Sequence, residues 1–113
     1  MKIAIYGSAD RTNEKNFQHA KEIGELLAKH THTVINGACP GVPYEVGKAA
    51  FLAKGNVIGY SPAINKKEHQ TRFKDPVDYF TEMIFIPKDY EHLKNDVACY
   101  KYRNISTVMN CDK

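Results

Sequence analysis

Three short apolar runs, KIAIYG (2–7), HTVING (32–37) and NVIGYS (56–61), alternate with two segments whose apolar residues recur at helical spacing. This alternation constrains the fold more than any other feature. Strands separated by helices pair in parallel, because the helical crossover returns the chain to the same end of the sheet. In the first helical segment Phe17, Ala20, Ile23, Leu26 and Leu27 carry the periodicity. Thr12 or Asn13 is placed to cap it, and Lys29 and His30 suit its C-terminal dipole. In the second, Val46, Ala49, Ala50 and Ala53 fall at i, i+3, i+4 and i+7, with Pro43 in the first turn and Gly55 at the stop. A long polar stretch (62–80) reads as a loop with at most a broken helical turn. EMIFIP (82–87) reads as a fourth strand, and a last helix is expected from Asp96 to Asn110, with Ala98, Tyr102, Ile105 and Met109 on its apolar face. The expected fold is α/β, a Rossmann-like three-layer sandwich around a mainly parallel sheet of about four strands.

A chain of 113 residues supports one core, so one domain is expected over 1–113. The net charge of +3 is spread along the chain and provides no basic stripe for nucleic acid, though it suits a small anion. Three cysteines without a CxxC pair fit a reducing, cytoplasmic setting. No apolar run approaches membrane-spanning length.

Ligands of open α/β sheets bind beyond the carboxyl ends of the strands. Here those ends carry Gly7-Ser8, Asn36-Gly37, Ser61-Pro62 and Pro87. The segment VINGACPGVPYEVGKAA (34–50) runs from a strand through a tight turn into a helix. A helix N-terminus offers unpaired N–H groups and partial positive charge, which favour phosphate or carboxylate. The turn formed by Gly37, Ala38, Pro40, Gly41, Val42 and Pro43 is therefore the candidate anion site, with Gly7 and Ser8 beside it. A tight strand-to-helix turn alone would explain the same glycines. Pro40 and Pro43 depart from the GxGxxG pattern and argue against an ordinary NAD site.

Four stretches, IYGSA, NGACPGVPYEVGKAA, VIGYSPAINKKEH and YRNISTVMNCDK, together resemble the SLOG superfamily, which includes LOG-type nucleotide phosphoribohydrolases, often described as lysine-decarboxylase-like. The resemblance covers nearly the whole chain. It implies a nucleotide pocket lined by Gly7, Ser8, Gly37 and Gly41. It also implies that Arg103, followed by Asn104, matches the arginine that in LOG-type enzymes helps bind and turn over a nucleoside 5′-monophosphate. A guanidinium can grip phosphate with two parallel hydrogen bonds or stabilise developing charge. The family's GG-x-GT-x-x-E segment would follow NCDK, and the sequence stops at Lys113. The expectation is a chain shortened relative to the family, which binds a nucleoside phosphate without catalysis. The alternative is a phosphoribohydrolase whose acidic residue lies in further sequence or a partner chain. The further strand is expected beside EMIFIP, and the edge it would leave uncovered, with the Tyr102, Ile105 and Met109 stripe, points to a homodimer.

Glu68 and His69 could offer an acid–base pair to the pocket, although a solvated loop is the plainer reading. His30 and His32 lack a third metal ligand. Cys39 fits a tight turn and has no identifiable base partner. Tyr90, Tyr100 and Tyr102 could stack on a base, while Tyr102 reads more simply as core. No metal or cofactor is expected.

Overall fold

The structure, a computed structural model, describes residues 1–7 and 14–112. The elements in chain order are β1 (Lys2–Ala4), α1 (Glu14–Lys29), β2 (Thr33–Asn36), α2 (Val42–Leu52), β3 (Asn56–Tyr60), α3 (Lys66–Thr71), β4 (Glu82–Ile84) and α4 (Asp96–Asn110). The four strands form one fully parallel sheet in the order β1-β2-β3-β4. The expected Rossmann-like architecture is what the chain adopts. The capping position assigned to Thr12 or Asn13, and Ser8, lie outside the described residues.

Alternation along each strand divides the core into two layers. Val34 and Val57 face α1 and α2, where they meet Ala20, Val46 and Ala50. Ile35, Ile58 and Tyr60 face the opposite way, with Ile84 and Cys111 against them. Helix α4 covers that second face, contacting β1 and β3. The two helices of the first face approach closely because Gly24 has no side chain, and a Cβ there would collide with the backbone of α2. Small residues on both helices (Ala20, Gly24, Ala49, Ala50) thus do the packing that bulkier ones would prevent.

Three expectations change. The stretch read as a loop contains α3, which begins at an Asn65 side chain accepting the Glu68 N–H at 2.8 Å. The Asn-x-x-Glu spacing is a capping signal that outweighs the polar composition. In α4 the buried stripe is Cys99, Arg103 and Thr107, not the apolar set. Ile105 and Met109 are 64% and 65% exposed, and Tyr102 is half-buried against Tyr90. Counting apolar residues picked the wrong face because the inward face meets a polar crevice. Finally, the C-terminal residues do not run beside β4. The Asp112 N–H donates to the Lys2 carbonyl at 2.8 Å, and its carboxylate accepts from the Lys2 N–H at 2.7 Å, so this end of the chain lies on the outer edge of β1. At the other edge Ile86 is buried, its N–H bonded to Ala63. No helix among the described residues is long and apolar enough to cross a membrane.

Candidate functional site

The two helical layers meet at the carboxyl ends of β1 and β2. Here Asn36, the last residue of β2 and fully buried, folds its side chain back over the following turn. Its Oδ1 accepts from the Ala38 N–H at 3.0 Å, and its Nδ2 donates to the Pro43 carbonyl at 3.0 Å. One amide therefore braces both sides of the turn. Gly47 admits it, since a Cβ at that position would stand 2.7 Å from Nδ2. The brace holds Ala38 in the left-handed region (φ 57°) and Gly41 at φ 110°, ψ −158°, a conformation only glycine adopts without strain. Gly41 is the N-cap of α2 and offers no side chain to the helix N-terminus.

From the opposite layer α4 delivers Arg103. Its side chain lies flat on Gly37: the Nη1 donates to the Gly37 carbonyl at 2.7 Å, and a Cβ on Gly37 would meet Nη1, Cζ and Cδ at 3.0–3.2 Å. The Nε donates to Asn104 Oδ1 at 2.8 Å, and Nη1 sits 3.8 Å from Cys39 Sγ. The guanidinium lies 5.2 Å over the Tyr100 ring. Arg103 is only 9% exposed, yet among the described residues no carboxylate pairs with it and Nη2 has no hydrogen-bond partner. Taking a cation out of water without a counter-charge is costly, so an anion beside Arg103 would be stabilised.

The structure thus brings Gly7, Gly37, Ala38, Gly41, Val42, Pro43, Arg103 and Asn104 to one end of the sheet, with Pro40 in the turn between them. The space at the glycines is already used. Gly7 is closed on by Val42 and Pro43, and Gly37 by Arg103. Their missing Cβ atoms serve the approach of protein groups that themselves shape the site.

Glu68 and His69 diverge. Glu68 Oε1 faces Arg72 at 3.4 Å and accepts from the Ile64 N–H at 3.3 Å. His69 is fully buried, with Nδ1 2.7 Å from Ser61 Oγ, which in turn accepts from the Ala63 N–H at 2.9 Å. Burial pushes the His69 pKa down. The Asp75 charge and the Ala38 and Pro76 carbonyls oppose that shift, while the Arg103 charge adds to it. A neutral ring accepting from Ser61 through Nδ1 carries its proton on Nε2, beside those carbonyls but without a well-formed hydrogen bond. His69 therefore supports the turn from behind and does not open into the crevice. Tyr90 and Tyr102 pack on each other with ring centroids 4.8 Å apart and planes tilted by 50°. The open groove of about 570 Å³ between α1 and α2, lined by Glu14, Lys21, Glu45 and Lys48 among others, lies on the outer helical layer.

The sequence names Asn36 and Ser61 only as strand ends, without the bracing roles they hold here. An Asx residue directly before a strand-ending glycine is a turn-forming signal, and it points to Asn36. Ser61 carries no such mark.

The SLOG cluster4 family model matches residues 1–110. An uncharacterized protein of Archaeoglobus fulgidus is 29% identical over 100 residues, which cover 88% of this chain and 59% of that protein. The X-ray structure of TM1055 superposes with a TM-score of 0.67 at 20% identity, over 98% of this chain and 55% of that one. The Moco carrier protein of Chlamydomonas rheinhardtii superposes with a TM-score of 0.58 at 24% identity, over 82% of this chain and 54% of that one. This chain therefore spans little more than half the length of these proteins, and the two solved structures share its fold. With nearly every residue inside the family model, the protein belongs to the SLOG cluster4 family.

Proposed function

We propose that the crevice at the carboxyl ends of β1 and β2 binds a nucleoside phosphate, with the phosphate on Arg103 and at the N-terminus of α2. The observation that carries this reading is Arg103 itself, a nine-tenths buried cation with a vacant Nη2 and no ion-pair partner among the described residues. A phosphate would supply a counter-charge and a charge-assisted acceptor for Nη2. The N-terminus of α2, capped only by Gly41, adds a partial positive charge from the other side. Binding without turnover is the reading for the residues in hand. Cleavage of the N-glycosidic bond needs an acidic group at the sugar, and the SLOG resemblance assigns that group to a segment after Lys113. Hydrolysis remains the second reading because the chain spans only part of its relatives.

Calorimetric titration of adenosine 5′-monophosphate into the protein and into Arg103→Met tests the first reading. Methionine keeps the apolar stem and removes the charge. Affinity should fall at least tenfold, and equal affinity in the two proteins would rule out Arg103 as the anchor. Chromatographic release of free adenine above the buffer rate would favour the hydrolase.

A further inference from the structure

We propose that Tyr6 is the platform on which the base of the bound nucleoside phosphate stacks. This rests on the reading of Arg103 as the phosphate anchor.

The register of the sheet places the residue. Ala4 pairs with Ile35, and Ile35 with Ile58. The Ile5 N–H to Ile35 carbonyl bond, 2.8 Å, carries the β1–β2 pairing past the end of the strand. Carried two residues beyond Ala4 and Ile35, the same register would set Tyr6, Gly37 and Tyr60 in one row. Strand alternation turns that row toward α4, as it does Ile35, Ile58 and Tyr60. The central place in the row is Gly37, and the guanidinium of Arg103 lies on it. Tyr6 and Tyr60 therefore flank Gly37, on which the Arg103 guanidinium lies.

The two flanking tyrosines differ in the way a platform requires. Tyr60 is buried, 5% exposed, and belongs to the core. Tyr6 is 58% exposed. Partial burial of its hydroxyl raises its pKa, and the Arg103 charge opposes that rise, which sets the hydroxyl on the crevice side. An exposed tyrosine on its own is ordinary. An exposed tyrosine whose backbone runs one strand spacing, about 4.8 Å, from Gly37, where a buried cation without a carboxylate partner among the described residues lies, is a different arrangement. With the phosphate on Arg103, the sugar would carry the base toward Tyr6. Every base has a π-face, so such a platform favours nucleotides over sugar phosphates and discriminates weakly among bases.

The test compares adenosine 5′-monophosphate, cytidine 5′-monophosphate and ribose 5-phosphate by calorimetry on the wild type, Tyr6→Phe and Tyr6→Ala. The wild type should bind both nucleotides more tightly than ribose 5-phosphate. Tyr6→Ala should lose at least fivefold for the nucleotides and less than twofold for ribose 5-phosphate, and Tyr6→Phe should match the wild type. Equal loss for all three ligands, or no loss for any, would overturn the platform. A wild type that binds ribose 5-phosphate as tightly as the nucleotides would overturn it too, while leaving the anion site standing. A wild type that binds none of the three would remove the anchor and the platform together. NMR of tyrosine-labelled wild-type protein gives a readout that does not depend on the variants folding. Tyr6 ring resonances should move upfield with adenosine 5′-monophosphate and hold with ribose 5-phosphate, and identical responses would again overturn the proposal.

Discussion

The Nη1 of Arg103 donates to the carbonyl of Gly37 at 2.7 Å, joining α4 to the end of β2 across 66 positions of sequence. Gly37 matters to this contact through its absent side chain. A Cβ there would press on three atoms of the guanidinium group and its stem at 3.0–3.2 Å, closer than such contacts ordinarily come. Gly37→Ala should therefore displace the guanidinium by a few tenths of an ångström. Phosphate affinity should fall a few-fold, with a stability cost on the order of 1 kcal/mol. Isothermal titration together with thermal unfolding checks both, and unchanged affinity would separate Gly37 from the site.

Gly41 is constrained by its backbone. At φ 110° and ψ −158° it occupies a region that side chains avoid. Gly41→Ala should cost about 1–3 kcal/mol in urea unfolding. A loss of nucleotide affinity in that variant follows from a disturbed turn and does not by itself show contact with ligand. Full stability in Gly41→Ala would mean that the turn relaxes to another conformation.

Stability should depend on pH through His69. Its folded pKa lies below the ordinary histidine value, chiefly because of burial. From about pH 6.5 downward the unfolded chain takes up a proton that the folded chain resists, so stability falls as pH drops until the folded pKa is reached. Melting temperature measured from pH 7.5 to 5 should fall more steeply in the wild type than in His69→Gln. Parallel curves would show that His69 ionises as easily folded as unfolded. His69→Ala should be destabilised at every pH by about 2–4 kcal/mol, since it leaves a cavity and strands Ser61.

The three thiols should separate by reactivity. Cys99 is fully buried, and burial raises its pKa, so it should alkylate slowest. Cys39 and Cys111 are half-buried. Saturating ribose 5-phosphate should protect Cys39, 3.8 Å from the Arg103 Nη1, and leave Cys111 unchanged. Peptide mass mapping after timed iodoacetamide treatment reads this out. Equal protection of both, or of neither, would place the phosphate elsewhere.

The strands and large helices could be read from the sequence because their signals are local. Val34 and Ile35 announce a buried strand, and Val46, Ala49 and Ala50 announce a helix face, without knowledge of what they touch. The position of Arg103 was suggested by resemblance, and its burial was not readable. A charged residue in the inward stripe of α4 runs against the apolar pattern of Ile105 and Met109, and only the Gly37 carbonyl on another element explains it. The same holds for His69. Its polar surroundings in sequence gave no hint of Ser61, eight positions earlier, which meets it in the core. Residues whose partners are distant in sequence, and polar, lay beyond a reading built on periodicity.

The paired bonds between Lys2 and Asp112 place the two ends of the described chain side by side. In topological terms the domain is nearly a ring, with two hydrogen bonds where a short peptide linker could stand. A linker of a few residues from Asp112 to Met1 should close that ring without bending the sheet, and new ends could then be opened in the exposed stretch from Lys88 to Asn95, between β4 and α4. Such a permuted chain would keep Arg103, Gly37 and Tyr6 in place.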